Sequence, residues 1–149
     1  MTVDALITAG NSSQKKGDAT AAAALYAKAI ADDPTDAVAL YDLGDLDQTA
    51  LYEHSAAEAE YERALAIDPR FVDARFNLAI LESTGQPMRA IASYDRLISF
   101  DASDAYAYLN LGFLLRTVGQ TTASSAAFNK AVTLDPGLKS RISQPIPAK

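Results

Sequence analysis

One sequence pattern recurs four times along the 149-residue chain. Each copy carries an apolar stretch around a small residue: "LITAGNSS" (6–13), "LYDLGDLD" (40–47), "RFNLAILE" (75–82) and "YLNLGFLL" (108–115). The small residues are separated by 34, 35 and 33 positions, and they are Gly10, Gly44, Ala79 and Gly112. A constant period of this size predicts a stacked array in which each copy is one structural repeat.

A second motif follows each first one at the same period. Its aromatic residues, separated by 35, 33 and 34 positions, are Tyr26, Tyr61, Tyr94 and Phe128. Both motifs place apolar residues at positions i, i+3, i+4 and i+7, which is typical of amphipathic helices. The second motif ends in Asp-Pro in three repeats, with Ala102 in place of proline in the third. Proline cannot continue a helix, so each repeat is predicted to be a pair of helices.

The turns within the pairs differ in one repeat. Gly17, Gly85 and Gly119 lie between the two motifs of the first, third and fourth repeats, where glycine permits a positive φ. The second repeat has no such glycine and carries one extra residue near "LYEHS" (51–55). We therefore expect a looser turn there.

The motif residues, Leu-Gly in the first helix followed by Ala, Tyr or Phe, Ala and Pro in the second, resemble the tetratricopeptide repeat family. The resemblance covers about residues 3–138, with repeats at 3–36, 37–71, 72–104 and 105–138. It implies one all-α domain, a right-handed α-solenoid of four antiparallel helix pairs. The segment "GLKSRI" (137–142) predicts a short C-terminal capping helix, and the tail "QPIPAK" (144–149) is expected to be extended or disordered.

The resemblance also implies a concave groove lined by the first helix of each repeat, where ligands of the family bind. Leu111, Gly112 and Leu115 are expected to pack on their own second helix, and Tyr108 and Leu114 on neighbouring repeats. The first repeat offers Ile7 and Asn11 to the groove. The other groove positions are Tyr41, Asp42, Asp45, Phe76, Asn77, Ile80, Tyr106, Leu109, Asn110, Phe113 and Arg116.

Such a groove is apolar and aromatic in its C-terminal half and acidic near the second repeat. Exposed apolar and aromatic side chains are typical of protein-binding surfaces. Asn77 and Asn110 occupy equivalent places and could hold the backbone of an extended peptide, since an amide both donates and accepts. The alternative for all of these residues is that they only cover neighbouring helices. Asp42 and Asp45 argue against an acidic peptide as the ligand.

The charge of the chain is unevenly distributed. The net charge is −6, yet residues 32–68 hold eleven acidic residues and one basic residue, whereas residues 105–149 hold one acidic and five basic residues. This pattern is typical of solvated helix faces, and the alternative is a field along the molecule that steers charged partners. Nucleic acid is not indicated as a partner, because the basic residues form no stripe. The sequence contains no apolar run long enough to span a membrane and no secretory signal pattern, so we expect a soluble chain, but the compartment stays open.

Enzymatic chemistry has little support in the sequence. There is no cysteine, and the single histidine, His54, lies in a predicted turn. The acids of "DLDQTALYE" (45–53) lack the glycine and final glutamate of a calcium loop, so no metal and no cofactor is expected. We therefore predict a non-catalytic scaffold that binds a protein or an extended peptide, apolar with a basic residue. The alternative is a structural module that assembles into homo-oligomers.

Overall fold

A computed structural model describes residues 1–143 of the chain, and all of its regular elements are helical. The helices pair in sequence order: α1 (Val3–Lys15) with α2 (Ala19–Asp32), α3 (Ala37–Leu46) with α4 (His54–Ile67), α5 (Val72–Gly85) with α6 (Pro87–Phe100), and α7 (Ala105–Thr117) with α8 (Thr121–Leu134). A 3₁₀ turn (Pro136–Leu138) and the four-residue helix α9 (Lys139–Ile142) follow. The predicted all-α class is confirmed, and each predicted repeat contains one pair. The tail at 144–149 lies outside the described residues.

The Asp at the end of each second motif makes the turn that follows its helix pair. Its carboxylate accepts a hydrogen bond from the backbone N–H two residues on, at 2.9 Å, in Asp33, Asp68, Asp101 and Asp135. These local bonds mimic a backbone turn. They also explain why Ala102 does not disturb the third turn, because Asp101 bonds to the N–H and hydroxyl of Ser103 without help from a proline. Hydrogen bonds from the hydroxyl groups of Thr35 and Ser103, and then from their backbone N–H groups, lower the pKa of Asp33 and Asp101.

The turns within the pairs follow the glycine pattern in part. Gly17 and Gly119 have φ values of 79° and 82°, as expected. Gly85 does not have a positive φ, since it is the last residue of α5 and only Gln86 separates it from α6. In the second repeat the extra residue forms a π-helical turn (Asp47–Leu51) that ends at Tyr52 in the left-handed conformation, with φ 59° and ψ 27°. The turn that we expected to be looser is therefore a defined, hydrogen-bonded π-helical turn.

Two compact units divide the chain, Met1–Leu78 and Ala79–Lys149, and we call them unit 1 and unit 2. In unit 1, one core cluster contains Leu6, Ala29 and Ala39, with Ile7 packed against it. A second cluster in unit 1 contains Ala22, Tyr26 and Leu46. In unit 2, Leu138 and Ile142 from the C-terminal cap pack on Leu109, Phe128 and Ala131. The prediction of a single domain stays a prediction.

The small residue of the first motif faces the aromatic ring of the second. A Cβ at Gly112 would lie 2.6 Å from Cδ1 and Cε1 of Phe128, and one at Gly44 would lie 2.9 Å from Cε1 of Tyr61. The close approach that we expected at Gly112 is therefore between a helix backbone and a ring, not between two backbones. The two motifs share a period because each of these glycines accommodates the ring of the helix that follows it.

Candidate functional site

Unit 2 contains an open pocket of about 320 Å³, which we call the α5–α7 pocket. Its apolar lining comes from Ile80, Phe113 and Leu114. Its polar lining comes from Ser83 of α5, Tyr94 of α6, and Asn110 and Thr117 of α7. The pocket thus brings together three of the residues predicted for the groove, Ile80, Asn110 and Phe113. Ile80 is 41% exposed, an unusually high value for an isoleucine that lines a cavity.

A tyrosine hydroxyl positions the amide in this pocket. Asn110 Nδ2 donates to the Tyr94 hydroxyl oxygen at 3.1 Å. Burial raises the pKa of Tyr94 to about 12, so its phenol stays neutral at physiological pH. Unit 1 repeats the arrangement, because Asn77 Nδ2 donates to the hydroxyl oxygen of Tyr61 at 3.2 Å. Both asparagines therefore contact a neighbouring helix, which is the alternative given for them above. Asn77 also forms a hydrogen bond with the side chain of Tyr41. The Asn110 amide, which uses one N–H for Tyr94, keeps a second N–H and a carbonyl oxygen for a ligand.

Phe113 connects the pocket to the core of the last pair. Its ring meets Phe128 edge-on, with centroids 5.1 Å apart. The guanidinium carbon of Arg116 lies 5.1 Å from the Phe113 ring centroid and 5.4 Å from that of Phe128. Two of its nitrogens, Nε and Nη2, are buried and form no hydrogen bond with any group of residues 1–143. Arg116 therefore packs as a cation over aromatic faces, which is a structural contact of Phe113 rather than a wall of the pocket.

Two groove predictions in unit 2 need correction or refinement. Leu109 is only 2% exposed, because Leu138 and Ile142 of the C-terminal cap pack over its cluster. It is a core residue, and its prediction as a groove residue was wrong. Tyr106 is exposed at 46%, as expected, but Arg141 of α9 lies over its ring at 5.7 Å. The capping segment, whose folded position the sequence does not reveal, accounts for both outcomes.

Unit 1 presents an acidic face on α3 and the start of α5, formed by Asp42, Asp45 and Asp73. Gln14 Nε2 donates to Asp45 Oδ2 at 3.3 Å. Partial burial raises the pKa of Asp42 to about 6, and the charges of Asp45 and Asp36 add to this shift. The charged form of Asp42 is therefore unfavourable in the folded chain, and a positive group beside the carboxylate would stabilise that form.

An aromatic cluster lies beside this acidic face. Tyr41 packs against Phe71 and Tyr61, with ring centroids 5.0 and 6.0 Å apart. The pKa of Tyr41 is raised by burial first, and then by the charges of Asp45, Asp73 and Asp42. Phe76 and Asn77 of α5 are half-buried. The structure brings Tyr41 close to Asp42, Asp45 and Asn77 in unit 1, and their role as groove residues stays a prediction. In the first pair, Asn11 accepts from the Tyr26 hydroxyl, and Ile7 belongs to the core.

Acidic side chains and the single histidine form no metal centre in the described chain. Within residues 1–143 no group of three or more His, Asp or Glu side chains could hold a metal ion. His54 is exposed at the first position of α4 rather than inside a turn. No helix in the described part of the chain is long and apolar enough to cross a membrane.

Helix pairs that repeat at a constant period, with a glycine against an aromatic ring and an open pocket lined by first helices, define a helical-repeat scaffold of the kind that binds proteins. Models of the tetratricopeptide repeat match residues 7–46 and 105–138. The chain belongs to the tetratricopeptide repeat family.

Solved structures of MamA share this fold. A crystal structure of MamA matches with a TM-score of 0.84 and 26% identity, over 93% of this chain and 81% of the MamA chain. Another crystal structure of MamA has a TM-score of 0.81 and 25% identity, over 98% and 79%. MamA residues 41 to the end from Desulfovibrio magneticus RS-1 give 0.83 and 20% identity, over 90% and 76%. A comparison with curated proteins gave no match.

Sequence reasoning missed four residues that line the α5–α7 pocket: Ser83, Tyr94, Leu114 and Thr117. Thr117 could have been predicted from the sequence, because it lies four positions after Phe113 and seven after Asn110, on the same helix face. Ser83 likewise lies three positions after Ile80. Leu114 was assigned to contacts between repeats, and at 7% exposure it contributes mostly to the floor.

Proposed function

We propose that this chain is a non-catalytic scaffold that binds a segment of another protein, with an apolar side chain of that segment in the α5–α7 pocket. The observation that carries the proposal is the pocket itself, where Ile80 is largely exposed beside Phe113 and the amide of Asn110. A pocket of about 320 Å³ has room for one or two large side chains. Aromatic and aliphatic anchors with a few polar groups are typical of such contacts.

The acidic face of unit 1 supplies the second element of the proposed specificity. Asp42, Asp45 and Asp73 would repel an acidic segment and attract a basic one, since like charges at an interface cost free energy. A lysine or arginine beside Asp42 would also stabilise the charged form of that partly buried carboxylate. The proposed ligand is therefore an apolar segment with at least one basic residue.

Site-specific photo-crosslinking in the source cells tests this proposal. A photoreactive amino acid is placed at Thr117, which is exposed and lines the pocket, or at Thr122, which is also exposed, at the start of α8, and is not among the residues that line the pocket. We expect a defined protein adduct from position 117 and none of that mass from position 122. The same adduct from both positions, or none from position 117, would contradict the proposal.

Self-assembly is the second candidate function. The opposite charges of residues 32–68 and 105–149 favour head-to-tail contacts between copies, which do not close on themselves. Contacts of this kind weaken when salt screens the charges. Sedimentation velocity at low and high ionic strength distinguishes the two candidates, because self-assembly predicts a larger species only at low salt. A monomer under both conditions excludes it.

A further inference from the structure

A second open groove lies in unit 2, between α6 and α8, and we call it the α6–α8 groove. Its volume is about 410 Å³, and none of its lining residues lines the α5–α7 pocket. Leu111 and Leu115 of α7 form the floor, four positions apart on one helix face. The remaining lining residues are Ile91, Asp95, Tyr108, Gln120, Ala123, Ala126 and Ala127.

The α8 wall of this groove is built from small side chains. Ala123, Ala126 and Ala127 lie three or four positions apart, so they form one ridge along the helix. Ala123 and Ala126 are exposed, whereas Ile91, Leu111 and Leu115 are between 7% and 8% exposed. An alanine ridge lets the backbone of another helix approach closely, and the apolar floor gives its side chains a place to pack.

Unit 1 contains an additional leucine near the residues that correspond to Ile91 and Leu111 of the groove. Two repeats before Ile91 and Leu111 are Ala23 and Leu43. Both pack on the Ala22, Tyr26 and Leu46 cluster together with Leu51, which the π turn brings in. In unit 2 the shorter link between α7 and α8 contributes only Gln120 to the groove. The link of unit 2, residues 118–120, contains no leucine.

The rim of the groove carries a carboxylate without a counterion. Asp95 of α6 is exposed, and among residues 1–143 no side chain forms a hydrogen bond or ion pair with it. Loss of hydration raises its pKa. Its neighbour Arg96 lies over the Phe100 ring instead, at 5.3 Å. The equivalent positions one and two repeats earlier hold Glu62 and Ala27, so the charge is not common to all repeats.

We propose that the α6–α8 groove binds an amphipathic helix of a partner protein, which inserts a leucine between α6 and α8 and sets a lysine or arginine beside Asp95. The leucine of the partner's helix packs on Leu111 and Leu115, and the backbone of that helix lies against Ala123 and Ala126. This surface is separate from the α5–α7 pocket, so the scaffold has two binding surfaces in unit 2 alone.

The test uses a synthetic amphipathic helix of leucine and lysine, and the same helix with glutamine in place of each lysine. Titration into the full chain is followed by NMR on the methyl groups of Ile91, Leu111 and Leu115. We expect these methyl signals to shift. Ala126→Gln, an exposed change that blocks the ridge, should weaken binding about tenfold. Asp95→Asn should weaken the lysine helix about two- to fivefold and leave the glutamine helix unchanged.

Two control variants separate this groove from other surfaces. Ser125→Gln changes the exposed neighbour of Ala126 outside the groove and should bind the helix like the wild type. Phe113→Ala removes a ring that lines the α5–α7 pocket and no part of the α6–α8 groove, so it should also leave binding unchanged. Absence of methyl shifts in the wild type would overturn the inference. So would a helix whose binding is lost in Phe113→Ala but kept in Ala126→Gln, because it would then occupy the other pocket.

Discussion

At Gly112 a single missing carbon determines how closely α7 and α8 pack. A Cβ there would lie 2.6 Å from two atoms of the Phe128 ring, and that ring is itself held by Phe113 and Arg116. The ring cannot retreat without disturbing the wall of the α5–α7 pocket. Fold and candidate site are therefore coupled through this residue.

The first prediction compares two glycines. Gly112→Ala should destabilise unit 2 by about 1–3 kcal/mol, because the added carbon overpacks the contact with Phe128. Gly85→Ala is the matched control, since nothing lies within 4 Å of its added Cβ and its φ is not positive. It should be neutral or slightly stabilising. Chemical denaturation of both variants measures the difference, and equal free energies of unfolding would contradict the close contact.

The second prediction concerns the pKa of Asp42, which rises from 3.8 to about 6 in the folded chain. A carboxyl whose folded pKa is raised destabilises the fold when charged, so its favourable contribution is complete below about pH 4 and is lost as the pH rises through about 6. Asp42→Asn should therefore stabilise the chain at pH 7, by on the order of 1 kcal/mol because the group is partly exposed. Below pH 4 the two proteins should be equally stable.

Thermal unfolding across this pH range tests the sign of the effect. A variant that is less stable than the wild type at pH 7 would show that Asp42 makes a favourable interaction when charged. If Asp42 also serves a basic ligand, the stabilised variant should bind that ligand more weakly. Stability lost at a binding site for the sake of function is a common trade-off.

At the scale of elements, the repeat period of the sequence predicts most of the fold. The helix pairs, their order and the helix starts at Val3, Ala37, Val72 and Ala105 coincide with the predicted repeats. Periodicity is sufficient here because each pair buries the same face against the same neighbours. The burial of Leu109 could not be predicted. Leu109 and Phe113 share one helix face, and only the folded position of Leu138 and Ile142 decides which of them is covered.

The conformation of the π turn in the second repeat could not be predicted from the sequence either. One extra residue predicts a looser turn, but both a π turn and a flexible loop would accommodate it. The hydrogen bond from the Glu53 N–H to the Asp47 carbonyl, at 2.8 Å, closes the turn and leaves Tyr52 left-handed and 74% exposed. A non-glycine residue in this conformation carries strain that its neighbours must hold in place.

The third prediction follows from that strain. Tyr52→Gly should stabilise unit 1 by about 1 kcal/mol, because glycine adopts a positive φ freely and the exposed ring gives up little packing. Gly119→Ala is the reverse case, with φ 82° and open space around the added carbon, and should destabilise by a similar amount. Denaturation midpoints of both variants test the backbone argument. A destabilised Tyr52→Gly would mean that the Tyr52 ring makes a contact that matters.

At the scale of the whole molecule, the chain combines a repeated frame with unequal surfaces. Residues 32–68 carry most of the acidic side chains, while the open apolar pocket and groove belong to unit 2. A repeat array tolerates such differences because the residues that hold a pair together are distinct from those that face outward. Family membership therefore defines a protein-binding scaffold, and the outward-facing residues determine which partner it binds.

The fourth prediction tests the central claim that the α5–α7 pocket is the binding surface. Ile80 in the pocket and Ile67 at the end of α4 are exposed to nearly the same extent, 41% and 40%, and both lie on helices. Ile80→Glu and Ile67→Glu therefore make the same chemical change at matched exposure. The measurement is calorimetric titration of the partner segment identified by crosslinking from position 117. We predict that Ile80→Glu binds at least about tenfold more weakly than the wild type, while Ile67→Glu binds equally well and both variants unfold at the same temperature. Equal affinity of the two variants for the partner would contradict the account.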